Sequence, residues 1–131
     1  MTTYELEEEL YSALTGNEEL ITALPLGEKA IYHHAAPTVE PKRYPIIVYS
    51  PIADEPVLAG DNHEFAHRVV FRIHVIAALK RFDADKRNFN AACNLIPPIM
   101  EERGFVRQKA TPSTADGKLI HAFEFARVVT S

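Results

Sequence analysis

From Tyr4 to Leu14 the apolar positions recur at helical spacing, with Leu6, Leu10, Ala13 and Leu14 on one stripe. Thr2 or Thr3 stands where a helix cap belongs, and the glutamates that follow complement the positive end of the helix dipole. Gly16 predicts the stop. Asn17 predicts the cap of a second, short helix through Leu24, with Glu18 and Glu19 in its first turn and Pro25 and Gly27 at its end.

Beyond Gly27 the period changes. Ala30 to Ala35 predicts a short strand, and Tyr44 to Ser50 (Tyr-Pro-Ile-Ile-Val-Tyr-Ser) a strongly β-prone one. Pro45 cannot donate to a ladder, which places it at the start of that strand or on an edge. Pro51 to Asn62, with two prolines, a glycine and three acids, reads as a loop. Phe65 to Ala77 is the clearest strand. Val69, Phe71, Ile73 and Val75 give one apolar face, and Arg68, Val70, Arg72, His74 and Ile76 a mixed one, which predicts a sheet covered fully on one side and half on the other. Asp85 to Arg103 predicts a helix capped by Asp83 or Asp85, with Phe89, Cys93, Ile96 and Met100 on its apolar stripe. Pro97 and Pro98 inside it predict a kink or a fresh start, and Gly104 its end. Val106 to Ala110 and Leu119 to Val129 then predict a hairpin whose loop is Pro112 to Lys118, with Phe123 and Phe125 on one face and Glu124 on the other. This order predicts one α+β domain over residues 1–131, a mostly antiparallel sheet with helices packed on one face.

Composition adds exclusions. Hydrophobic residues at 47% and charged residues at 24% are globular values, and a chain of 131 residues buries about two thirds of its extended surface on folding. The single cysteine, Cys93, excludes an internal disulfide framework and a Cys-rich zinc site. The net charge of -4 gives no overall pull toward nucleic acid. There is no apolar run of membrane-spanning length and no secretory signal at Met1, so the expectation is a soluble cytoplasmic product with no membrane partner. Charge is unevenly spread: Met1 to Glu19 holds six acids and no bases, whereas Phe65 to Lys109 holds nine bases and four acids. Such opposition suits either two solvated faces or the acidic end of one subunit meeting the basic strip of the next.

The search for chemistry returns little. His63-Glu64-Phe65-Ala66-His67 matches H-E-x-x-H, which on a helix would bind zinc and activate water for hydrolysis. Gly60-Asp61-Asn62 before it is turn chemistry, and the segment runs into the period-2 strand, where residues four apart lie roughly 13 Å from each other. His33 and His34 are adjacent, so a strand would send them to opposite faces and deny them a shared ligand. His74 and His121 sit in strands, Cys93 lies on an apolar stripe, and no glycine-rich phosphate loop occurs. Arg68 and Arg72 share a strand face without interleaved aromatics, which favours a solvated or covered face over phosphate contacts. These residues predict no catalytic, cofactor or metal site, and a compact binding or assembly domain instead of an enzyme.

The ordered set of blocks resembles the small tail-completion (tail-terminator) proteins of long-tailed phages and prophages. It comprises the N-terminal helix followed by Asn17-Glu18-Glu19-Leu20, Ala30-Ile31-Tyr32 before a proline loop, and Tyr44-Pro45-Ile46-Ile47-Val48-Tyr49. Asp61-Asn62 then precedes the alternating strand Val69 to Ala77, a helix ends in Ile99-Met100-Glu101-Glu102-Arg103-Gly104-Phe105, and a strand follows from Ile120 to Phe125. The resemblance covers nearly the whole chain. The Pro97-Pro98 pair and the histidines at 63 and 67 depart from it. It implies a virion structural protein, assembled in the host cytoplasm, that forms a ring, commonly a hexamer, on the end of the tail tube. Its partners would be its own copies, the tail-tube protein and the head-connector protein, with DNA only in passing through the channel. The residues expected at the assembly interface are Tyr44, Pro45, Asp61, Asn62, Arg68 and Arg72. The competing expectation is an α+β adaptor module unrelated to virions, and a third is the zinc hydrolase.

Overall fold

The structure, a computed structural model, describes residues 1–60 and 63–130, with side chains for all of these but 58–60 and 63–65. Helix α1 (Thr3–Thr15) starts on a complete capping box: the Thr2 hydroxyl accepts from the Glu5 amide, and the Glu5 carboxylate accepts from the Thr2 amide. Asn17 caps α2 (Glu18–Ala23) through the Leu20 amide. A 3-10 turn over Gly27–Ala30 leads to strand β1 (Ile31–His33). Then come β2 (Ile46–Gly60), β3 (His63–Ala78), helix α3 (Phe82–Glu102), β4 (Val106–Ala115) and β5 (Lys118–Thr130).

The strands form one sheet in the order β1-β2-β3-β5-β4, antiparallel except for β1, which runs parallel to β2. The fold is α+β, as the order of elements predicts. Val69, Phe71, Ile73, Val75 and Ala77 are fully buried along β3, joined by Ile47 from β2 and Phe123 and Phe125 from β5. Leu6, Leu10 and Leu14 of α1, Leu20 of α2, and Phe89, Ala92, Ile96 and Met100 of α3 complete this core. The other face is half covered. The segment after β1 crosses it, and a pocket there is lined by His34, Ala35 and Ala36 against Val48, Arg72, His74 and Ile76. Gly104, at φ +80°, closes α3, with the Phe105 amide donating back to the Met100 carbonyl. Phe105 is thereby set edge-on against Phe71, with ring centroids 5.8 Å apart.

Three expectations change and one is narrowed. Residues 51–57, read as a loop, are strand, because β1 stops opposite Tyr49 and leaves this stretch on an edge, where Pro51 and Pro56 owe no outward hydrogen bond. Pro45 takes the first of its two expected places, immediately before the start of β2, and the run after it is not an edge: Ile47 to Tyr49 pair with β1 on one side and β3 on the other. Residues 112–115, also read as loop, belong to β4, and the hairpin turns on Asp116 and Gly117, both at positive φ. Two positive-φ residues match the right-handed twist of the flanking strands. Finally, α3 continues through Pro97 and Pro98 without a fresh start, and it begins at a 3-10 turn with no side-chain cap; Asp83 and Asp85 lie in its first turn. The proline pair costs the carbonyls of Cys93 and Asn94 their helical donors, while Ile96, Ile99 and Met100 on the opposite stripe stay buried and hold the helix to the sheet.

Candidate functional site

Among the described residues, the densest grouping of chemically capable side chains joins α1 to the end of β1. Glu7 is buried although it lies on a helix rich in exposed glutamates. His33 pairs in register with Tyr49, so both rings face α1, and they stack with centroids 4.8 Å apart. His34 should alternate to the far face. Its backbone instead adopts φ +73°, a left-handed conformation costing a non-glycine residue about 1 kcal/mol. Its amide still donates to the Tyr49 carbonyl, at 2.8 Å, while its ring swings back toward the helix. His33 Nε2 lies 3.0 Å from Glu7 Oε2 and His34 Nε2 lies 3.1 Å from Glu7 Oε1. The two imidazoles thus converge on one carboxylate, correcting the expectation that adjacent strand histidines cannot share a ligand.

Beside this cluster runs an open groove of about 620 Å³ lined by Tyr4, Glu7, Glu8, Tyr11, Ser12, His33 and Tyr49. Burial, and then the charge of Glu7, pushes the Tyr49 phenol up to about 12, so it stays protonated at neutral pH.

The H-E-x-x-H segment lies on β3, an extended strand from its first residue, and the side chains of His63 and Glu64 fall outside the described ones. Strand geometry sets residues 63 and 67 roughly 13 Å apart along the chain, which rules out the helical zinc arrangement. His67 is buried and serves architecture. Its Nε2–H donates to the Met1 carbonyl at 2.8 Å, and its Nδ1 meets the Asp54 carboxylate. Asp54 also accepts from the Thr3 hydroxyl at 2.6 Å, and the Met1 ammonium donates to the Thr130 carbonyl. The start of α1 is thereby clamped to β2, β3 and β5. His74 and His121 sit below the ordinary histidine value, mainly through burial, and are neutral at pH 7. Burial pushes the Cys93 thiol up to about 12, which leaves it a poor nucleophile.

The residues expected at an assembly interface scatter. Tyr44 and Pro45 are buried. The Tyr44 hydroxyl donates to Glu40 at 2.7 Å, and Lys118 reaches both Glu40, at 3.2 Å, and the Tyr44 ring. Tyr44, Glu40 and Lys118 thereby hold the segment after β1 to β5, with Tyr44 and Pro45 buried within the subunit. Asp61 and Asn62 lie outside the described residues. Arg68 donates to Gln108 at 2.7 Å, and Arg72 and Lys109 each lie 3.5 Å from Glu124. The two arginines are thus on the face away from the helices, bridging β3 to β5 and β4.

Two unlike edges bound the sheet. On one side, β2 past β1 exposes Ile52, Asp54, Glu55, Pro56 and Val57. On the other, every residue of β4 is exposed, including Val106, Arg107, Lys109 and Pro112. The sequence pattern placed Val106 to Ala110 in a strand but took the β2 edge and the end of β4 for loop, because of their prolines. No family model matches the sequence, and no curated protein matches it significantly.

Proposed function

We propose that this chain is a tail-completion subunit of a long-tailed phage or prophage particle, which associates head to tail into a ring on the end of the tail tube. The observation that carries this reading is the pair of opposite sheet edges. One bears Asp54 and Glu55 between exposed Ile52 and Val57; the other bears Arg107 and Lys109 beside exposed Val106. Unlike edges of one subunit favour contact between different patches, and such contacts close into rings when the rotation per subunit allows. Opposite charge steers the encounter and fixes orientation. Edge prolines, Pro51 and Pro56 against Pro112, discourage continuous strand pairing and so open-ended growth. The ordered sequence blocks supply the tail context; a subunit charge of -4 suits a channel through which DNA passes without being gripped.

In this role the ring stops tube growth and gives the head connector its docking surface, and the work is done by shape and charge. The test is to add the purified protein to growing tail tubes of the cognate particle and follow tube length by electron microscopy. Growth should stop, with a ring of density at one end. Continued elongation at saturating protein would overturn the assignment.

A further inference from the structure

We propose that Glu7, His33 and His34 form a three-ligand site for a divalent transition metal, with zinc as the fitting ion. The ligating atoms, one from each residue, lie within 4.8 Å of one another. Two imidazoles and a carboxylate are a donor set that zinc takes readily, at bonds of about 2.0–2.2 Å. A tetrahedral arrangement at such bond lengths spaces neighbouring ligand atoms by about 3.3 Å. His33 Nε2 lies 3.0 Å from one Glu7 oxygen and His34 Nε2 3.1 Å from the other, each just inside that value. A metal inserted among them draws the three ligand atoms, now within 4.8 Å of one another, together by side-chain rotation, with both Nε2 nitrogens free of their protons.

Four further features fit. The Glu7 side chain is 7% exposed and the histidines 42% and 56%, so a buried carboxylate forms the floor and two accessible imidazoles the rim. The His33 ring is held by stacking on Tyr49. His34 meets the carboxylate only because its backbone is left-handed, and no pattern of strand alternation would have brought both rings to one side. The adjoining groove, with Glu8 on its wall, gives a cation an acidic approach. Three protein ligands leave a fourth position for water or for a side chain of another molecule. The proposal is independent of ring formation.

The test is calorimetric titration of the purified full chain with zinc, repeated with cobalt so that the visible absorption reports nitrogen and oxygen ligation. One zinc should bind per chain. His33→Ala and His34→Ala should each weaken binding about tenfold or more, as should Glu7→Gln, and saturating zinc should raise the melting temperature of wild type alone. Both histidine substitutions are at exposed positions, so they decide the matter even where Glu7→Gln unfolds. No saturable zinc binding by wild type would overturn the site. So would binding that survives both histidine substitutions, or that is lost in His63→Ala and kept in them.

Discussion

At the scale of single residues, the backbone sign of a few positions decides what their side chains can do. His34 at φ +73° is the case with consequences, because it turns a pair that alternation would separate onto a common carboxylate. Gly117 is the other kind: at φ +74° it serves the hairpin turn, and a Cβ there would meet nothing within 4 Å. Gly117→Ala therefore pays only the conformational penalty, and thermal unfolding should show a loss of about 1 kcal/mol. Asp54 gives a pH dependence. The Thr3 hydroxyl is the largest influence holding its carboxyl below the ordinary value; burial works against this, and the His67 ring adds to the lowering. A depressed carboxyl stabilises the fold fully above its unfolded pKa, and that contribution is lost as pH falls through the folded one. Urea unfolding of wild type and Asp54→Asn should thus differ at about pH 5, and the difference should shrink toward pH 2.5. A gap that stays constant over this range would contradict the clamp. The motif carrying His67 was visible in the sequence and so was its extended setting; its hold on Met1 was not, because 66 positions separate them in the chain.

At the scale of elements, period and caps made the helices and the central strands legible. Leu6, Leu10 and Leu14 are buried as the stripe predicts, and Thr2 and Asn17 cap as their side chains allow. What escaped was the outer part of the sheet. Pro51, Pro56 and Pro112 read as breakers because a proline denies a strand one hydrogen bond, yet an edge strand has no partner there to miss it. Asp116-Gly117 carried a direct signal for a two-residue turn, and the neighbouring proline and serine obscured it. The α3 prolines failed to break the helix for a reason only packing reveals: its buried stripe is continuous across them. Ile96, fully buried beside Pro97, carries much of that anchoring. Ile96→Ala should destabilise by about 2–5 kcal/mol in denaturant unfolding, more than any exposed substitution on the same helix.

At the scale of the whole molecule, the division of labour is between a filled helix-covered face and two bare edges. The candidate cation site and its groove lie where α1 meets the end of β1, and among the described residues no helix is long and apolar enough to cross a membrane. The edges differ in sign, acidic on β2 and basic on β4, and the head-to-tail reading depends on that difference. Reversing one edge with Arg107→Glu and Lys109→Glu should abolish tube capping while leaving the melting temperature nearly unchanged, since both residues are exposed. Adding Glu55→Lys, which leaves the Asp54 clamp intact, should restore part of it. The most direct measurement is carbodiimide cross-linking of the tube-bound protein, prepared as a mixture of isotopically light and heavy chains and read by mass spectrometry. The account predicts mixed-isotope links joining Asp54 or Glu55 of one subunit to Lys109 of another, with the internal Lys109–Glu124 pair, 3.5 Å apart, as the control. Capped tubes that yield the internal link alone would contradict it.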